Sequence, residues 1–420
     1  MGRIYTIRET LIELLQLHNM KDYVHATFAS TGSWIGNIYD LTLVTYIYAE
    51  LEKSYHIGLG VVSLLFALGL IGRFFGGLYL GALTDKIGAR RVMALSTAGY
   101  AIFAGVMAFS PDVFILFSAR FVQGIFMGGE WTSGTVLGYE FSPADIRSTI
   151  FGIIQSGYGI GYALTGIAYI LFLPTIGATW RLFLITGTIP LIIAPYTIIK
   201  LPGDKRIIKK AKNKIHFMDY KIPLIKSMIM MSGYFSAYFA ILSFYPTVAP
   251  SFGLPGSIVG VVMIASSITV AIGFLVFGRL SNNFRKKHLI MAGSLIALAF
   301  SWVAMPYFGF LRPFALPGMI IFTFGVGSMP IIPLLLMDRI DPAVRGLISG
   351  ISYNFGALFG GLISVLLGVI GGIVGYTGLI LIIDLTTLVC LLSVFAVSVT
   401  IKKKKDSTSF LSGLSGDTIK

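Results

Sequence analysis

Apolar residues run along this chain in long blocks, broken at short intervals by charged, glycine-rich or proline-rich segments. Neither the narrow stripe of a soluble amphipathic helix nor the alternation of a half-buried strand organises them. The pattern predicts twelve helical spans, at 25–49, 57–83, 92–110, 113–139, 147–173, 180–199, 224–249, 256–280, 288–310, 313–337, 344–370 and 375–400. Each is long enough to cross a hydrocarbon core about 30 Å thick at about 1.5 Å per residue. Turn signals such as Pro111-Asp112, Pro174, Pro250 to Pro255 and Gly371-Gly372 separate them.

Composition turns this pattern into a class. Only 12% of residues are charged and the mean hydropathy is +0.85, against about 25% charged in soluble domains. The chain reads as an all-α integral membrane protein. Residues 1–24 are charged and amphipathic (Arg3, Arg8, Glu9, Glu13), lack a signal-peptide cleavage pattern, and are expected to form a cytoplasmic segment. The one cysteine, Cys390, leaves no partner for an internal disulfide and sits in an apolar, packing context.

A net charge of +14 would suit nucleic acid, but the basic residues lie in connections and carry little aromatic interleaving. They follow the positive-inside rule instead. The segment Lys200 to Lys226 holds nine Lys/Arg and two Asp, and the loops 84–91 and 279–287 and the tail Lys402 to Lys405 are also basic. The alternate connections 50–56, 111–112, 250–255 and 371–374 hold Lys53 as their only Lys or Arg. An even number of spans puts every basic segment on one face, with both termini cytoplasmic. Two six-helix bundles, 25–199 and 224–400, are then joined by a cytoplasmic linker at 200–223 and followed by a tail at 401–420.

The two bundles echo each other. Gly81-Ala-Leu-Thr-Asp85-Lys-Ile-Gly88-Ala-Arg90-Arg91 returns, weakened, as Gly278-Arg-Leu-Ser-Asn282-Asn-Phe-Arg-Lys-Lys287. Ser142-Pro-Ala-Asp-Ile-Arg147 returns as Asp341-Pro-Ala-Val-Arg345. A membrane chain repeating itself in order at half length is a fused duplication, an arrangement that points to transport.

Ionisable residues at membrane depth cost about 2.5–3.5 kcal/mol each and therefore face an interior or a watery cavity. Five stand out: Asp40, Arg73, Arg120, Glu130 and Asp384. Counting residues from the span ends puts Asp40 level with Arg120, and Arg73 level with Glu130, so these two pairs are expected as proton-coupling elements or static ion pairs. Asp40 is the first candidate to load a proton, Glu130 the second. Asp384 is expected to hydrogen-bond Asn354 in a structural role. Arginine binds carboxylate through a planar fork, so Arg120 or Arg73 suits an anionic solute. Trp34, Asn37, Gln123, Trp131, Gln155, Tyr158, Tyr238, Tyr245, Tyr353 and Asn354 supply the remaining polar and aromatic lining of a midplane site.

Gly81-x-Leu83-x-Asp85-Lys86-x-Gly88-x-Arg90-Arg91 resembles the signature loop of the major facilitator superfamily, and Arg120-x-x-Gln123-Gly124-x-x-x-Gly128 its helix 4 motif. Arg73-Phe-Phe-Gly-Gly and Gly128-Gly-Glu130-Trp131 resemble the metabolite–proton and sialate–proton symporters, whose substrates are small organic acids and zwitterions. The resemblance implies a gate in which Asp85 caps a helix, Arg90 or Arg91 pairs a nearby acid, and Gly81, Gly88, Arg147, Asn282 and Arg345 take part. It also implies that Arg120 serves proton coupling. Ala89 stands where the signature has arginine, and Asn282 where the second copy would have aspartate. The glycine-proline motif of drug–proton antiporters is missing from the fifth span.

The expected function is alternating-access, proton-coupled import of a small carboxylate-bearing solute; the alternative is proton-coupled export of drugs or sugars. No cofactor or metal is expected, the coupling ion being the proton, with sodium left open. The partners are the solute and the lipid bilayer, and the resemblance implies a monomer. No nucleophile–base pair or phosphate loop suggests an enzyme. A receptor would need a soluble signalling domain larger than the linker and tail.

Overall fold

The computed structural model describes residues 2–202, 217–254 and 256–401, and every regular element among them is helical. Met1, most of the expected linker (residues 203–216) and the expected tail beyond Ile401 lie outside the described residues. Ten segments among the described residues are long and apolar enough to cross a bilayer. One of them, Arg147–Lys200, holds 54 residues, about 80 Å of helix and therefore two crossings. It divides at Leu173–Thr175, where Pro174 removes a backbone donor. The helix Gly2–Leu43 adds the remaining crossing.

The twelve spans are numbered in chain order. Span 1 is Gly2–Leu43, span 2 Leu59–Ile87, span 3 Ala89–Ala108, span 4 Val113–Phe141 and span 5 Arg147–Phe172. Span 6 is Ile176–Ile185, continued through a tighter 3-10 stretch, Thr186–Ile192, into Ile193–Lys200. Span 7 is Lys221–Val248, span 8 Gly256–Asn283, span 9 Lys286–Ala304, and span 10 Ala315–Val326 with Ile331–Met337. Spans 11 and 12 share Arg345–Val399, broken at Gly375 with φ 70 and ψ 179. That backbone conformation is open essentially to glycine alone, so the reversal falls there rather than at Gly371-Gly372.

Inside lipid, helices associate by close backbone approach. Gly72 and Gly76 of span 2 lie so near the span 4 backbone that a Cβ would strike the carbonyls of Phe121 and Ile125. Across the two halves, span 2 packs on span 11 through Gly77 and Gly81 against Gly350 and Gly346, and span 5 on span 8 through Gly152 against Gly278. The aromatic core between the halves is built from Trp34, Trp131, Tyr158, Phe235, Tyr238, Phe274 and Tyr353.

Among the described residues the charge asymmetry has three exceptions on the face opposite the basic loops, Lys53, Arg181 and Arg312. Arg181 donates to the carbonyls of Ala108 and Ser110 at 2.6 and 3.2 Å, closing the end of span 3. Its charge meets the negative end of a helix dipole, which gives it a local reason to sit there.

Candidate functional site

A chain of buried polar groups crosses the middle of the molecule. Asn37 of span 1 donates from Nδ2 to Glu130 Oε2 at 2.6 Å and to the Met127 carbonyl at 2.8 Å. Its Oδ1 accepts from Arg73 Nη1 at 3.2 Å. Arg73 Nε donates to Oδ1 of Asn354 at 3.3 Å, which brings in span 11 of the other half. All four residues are 2% exposed or less. The Arg73–Glu130 pair expected from depth is thus a bridge: the two charges share Asn37 and do not touch directly among the described contacts.

Aromatic rings enclose this chain. The Arg73 guanidinium lies 4.9 Å from the Trp34 ring centroid, a distance at which a cation is attracted to the ring face. Trp131, next to Glu130, stacks on Tyr353, next to Asn354, with centroids 3.6 Å apart and planes at 16°. Trp34 meets Trp131, Tyr158 and Tyr353 at 6.2 to 6.4 Å, and Tyr158 meets Tyr238 at 6.0 Å. Trp131 Nε1 donates to Gln155 Oε1 at 3.0 Å. Four buried donors in this cluster, Arg73 Nη2, Trp34 Nε1, Gln155 Nε2 and the Tyr158 hydroxyl, have no hydrogen-bond partner among the described residues. A buried donor left unmet costs about 1–3 kcal/mol, so an acceptor placed among these groups would be stabilised.

The expected Asp40–Arg120 pair does not form through its side chains. Arg120 is fully buried and gives its hydrogens to main-chain carbonyls: Nε to Leu65 at 3.1 Å, Nη1 to Asp40 at 3.3 Å, Nη2 to Leu41 at 2.8 Å. Nη1 also donates to Gln123 Oε1 at 2.7 Å, and Gln123 Nε2 donates to the Tyr100 carbonyl. The reason is local. Span 1 tightens into the 3-10 stretch Val44–Ile47, which frees carbonyls at its end, and a planar fork of donors satisfies them. Arg120 and Gln123 therefore brace the end of span 1 and do not line the cluster.

The Asp40 carboxyl points at Gly187 in the 3-10 part of span 6, and neither oxygen has a hydrogen-bond partner among the described residues. The same holds for Asp384, so the expected bond to Asn354 is absent; Asn354 Nδ2 donates instead to the Gly350 carbonyl at 2.9 Å. Tyr245 lies apart, packed on Phe252 near the end of span 7. Of the expected lining, Trp34, Asn37, Trp131, Gln155, Tyr158, Tyr238, Tyr353 and Asn354 come together, joined by Arg73.

At the basic face the halves are locked by reciprocal caps. Asp85, ending span 2, accepts from the backbone N–H groups of Gly346 and Leu347 at 2.7 and 2.8 Å, the start of span 11. Asn282, ending span 8, accepts from the Ser148 N–H at 3.1 Å, the start of span 5, and donates to Thr149 Oγ1 at 2.6 Å. A side-chain oxygen here meets the unsatisfied donors of a helix N-terminus, and a charged one gains from the dipole as well. Gly81 faces Gly346. Gly88, with φ 98, is the whole connection between spans 2 and 3.

Arg345 pairs with Glu140 at 3.1 Å, and Tyr139 donates to Asp338 at 2.9 Å. Arg147 and Arg345 both lie over the Tyr139 ring, at 4.4 and 4.6 Å. Asp338 also pairs with Lys286 at 2.6 Å. Arg90 does not pair an acid as expected: it donates to the Leu201 carbonyl, pinning the end of span 6. Arg91 is exposed. Sequence reasoning missed Glu140 and Asp338, although the internal repeat relates them to each other by the same spacing that relates Arg147 to Arg345.

Comparison with known proteins places this geometry. The sequence profile described as "Major Facilitator Superfamily" matches residues 31–365. A probable 4-methylmuconolactone transporter of Cupriavidus pinatubonensis is 22% identical over 341 residues, 78% of this chain and 79% of that protein. The sialic acid transporter NanX of Escherichia coli is 23% identical over 338 residues, 78% of this chain and 82% of that protein. Among solved structures, the transporter FucP in its outward conformation superposes with a TM-score of 0.71 at 13% identity, covering 91% of this chain and all of FucP. The proton:xylose symporter XylE gives a TM-score of 0.71 at 15% identity, covering 91% of this chain and 95% of XylE. With twelve spans in two halves, a signature loop capping the opposite half, and a profile match over most of its length, this chain is a multi-pass membrane transporter belonging to the Major Facilitator Superfamily.

Proposed function

We propose that the protein imports a small carboxylate-bearing organic solute together with protons. The bundles 25–199 and 224–400, with the linker 200–223 and both termini in the cytoplasm, rock about the central cluster. The observation that carries this reading is the buried Glu130–Asn37–Arg73 chain beside four unmet donors. The donors at Arg73, Trp34 and Gln155 suit a carboxylate, and the surrounding rings suit a flat apolar body. A relative named for 4-hydroxybenzoate transport, in Acinetobacter baylyi, is 30% identical over 176 residues, 41% of this chain, and the two longer relatives are named for a lactone and a sialic acid. Aromatic and sugar acids are accordingly the first solutes to try. Caps closed at the basic face leave the cluster to load from the opposite side.

Glu130 is the proton carrier in this reading, since it alone of the three buried spanning carboxyls is wired to a cation through one side chain. Asp40 takes a secondary place, stored against span 6. The test is uptake of labelled 4-hydroxybenzoate, sialic acid and related acids into liposomes carrying the purified protein. Accumulation should follow an inwardly directed proton gradient and collapse with an uncoupler. Glu130→Gln should abolish uphill accumulation, by at least about tenfold, while keeping downhill exchange. Solute movement indifferent to proton gradient and voltage would overturn the reading.

A further inference from the structure

Two adjacent pairs face each other across the halves: Glu130-Trp131 on span 4 and Tyr353-Asn354 on span 11. Tyr353 stacks on Trp131 at 3.6 Å, while Asn354, the next residue, takes Nε of Arg73 at 3.3 Å. Asn354 is held in that pose from two sides. Its Nδ2 donates to the Gly350 carbonyl at 2.9 Å, which fixes Oδ1 as the acceptor for Arg73, and it seats over Gly77, where a Cβ would collide with it. Gly77 lies one helical turn beyond Arg73, so the arginine and the seat that positions its partner belong to one face of span 2.

We infer that Asn354 couples the gate to the proton site by competing with Glu130 for Arg73. This rests on the import reading above. When the caps at Asp85 and Asn282 release and span 11 swings away, Tyr353 leaves Trp131 and Asn354 leaves Arg73 in the same movement. Arg73 Nε then has no acceptor, in a place where an unmet charged donor is costly. The nearest carboxyl linked to it is Glu130, reached now through Asn37 alone. Turning the guanidinium toward Glu130 stabilises the carboxylate, the Glu130 O–H bond breaks, and the proton passes to water on the newly opened cytoplasmic side. Closing the gate returns Asn354 to Arg73 and restores proton affinity to Glu130.

The other ionisable groups around this pair are few. Tyr100 of span 3 faces Glu130, Tyr353 of span 11 faces both Arg73 and Glu130, Tyr158 and Tyr162 of span 5 face Arg73, and Asp40 of span 1 and Arg120 of span 4 lie farther along. Phenols ionise near pH 10 in water, so they do not compete for a proton in the transport range. Arg120 is committed to main-chain carbonyls.

The experiment is an infrared pH titration of the full chain in liposomes, with the Glu130 carboxylic-acid band assigned by its loss in Glu130→Gln. Asn354→Ala releases Arg73 to Glu130 in every state and should move the midpoint toward acid by about one pH unit or more. Asn354→Asp competes harder for Arg73 and adds a like charge, and should move it toward alkali. Asn354→Gln, which keeps the acceptor, should stay near wild type. Midpoints for Ala and Asp that agree within about 0.3 unit, or move in the same direction, would overturn the inference; so would a wild-type protein in which no Glu130 band titrates. Asn354→Ser stands in for alanine should that variant fail to fold. The titration needs no solute, so it stands or falls separately from the import assay.

Discussion

The N-terminal and C-terminal halves share a fold and a gate design, yet they divide the chemistry unequally. Asp40, Arg73, Arg120 and Glu130 all belong to the first half, while among the described residues the second buries one such charge away from the span ends, Asp384. The gate shows the same imbalance within matched geometry. Asp85 meets two backbone donors of span 11 with a carboxyl group; Asn282 meets one donor of span 5 with an amide and adds a hydroxyl bond. The two latches occupy matching places in the two halves, and one carries a carboxyl where the other carries an amide. In the coupling proposed above, the second half serves as the moving surface that tells the first where it stands.

The largest break in this comparison should come at Arg120. Its guanidinium satisfies three main-chain carbonyls and Gln123 in a fully buried position. Arg120→Ala leaves those acceptors unmet and should cost about 3–5 kcal/mol, the usual penalty for breaking a buried charged contact. Thermal unfolding in detergent should fall by several degrees, and transport of anionic and neutral solutes should fall together. Selective loss of the anionic solutes, with stability intact, would return Arg120 to the binding site.

Arg120 also shows where the sequence is legible and where it stops. The twelve spans, the duplication and eight members of the central cluster follow from apolar run length, glycine punctuation and residue type, and the cap at Asp85 from the resemblance of its loop to the family signature. Depth along a helix is readable too, and it set Asp40 level with Arg120 correctly. Rotation about the helix axis is not readable to the same degree. Span 1 ends in a 3-10 turn whose freed carbonyls claim the arginine, and no local pattern announces that turn. Asn37 illustrates the same limit: as a lone amide on an apolar helix it looked like lining, yet it joins Arg73 to Glu130. A bond between Asn354 and Asp384 requires the amide to turn toward span 12, whereas Gly77 opens its seat on span 2.

A smaller effect should come from equalising the two latches. Asp85→Asn keeps the shape but removes the charge from the helix N-terminus, a change of about 1 kcal/mol, or roughly fivefold in the balance between the two gate states. Labelling of single cysteines placed along the cytoplasmic half of span 5 should rise by about that factor. Asn282→Asp should shift the balance the other way by a similar amount, because it restores charge against the start of span 5. Combining the two should bring the balance back close to wild type. If both single changes open the gate, the reciprocal-cap geometry is wrong in one half.

The smallest effect is expected at Asp384, and it tests the imbalance most directly. This carboxyl is 0% exposed and neither oxygen has a partner among the described residues; it lies in span 12, a helix away from the Arg73 chain. A group that entered the proton cycle would need a cation or a water path to change its state, and Arg73 is already shared between Asn37 and Asn354. Asp384→Asn should therefore leave proton-driven accumulation within about twofold of wild type. Asp384→Leu, which removes an unmet polar group from an apolar setting, should hold or raise thermal stability, since such groups cost about 1–3 kcal/mol when buried without a partner. Loss of accumulation in Asp384→Asn, with exchange retained, would place a second proton site in the C-terminal half and make the two halves chemical partners.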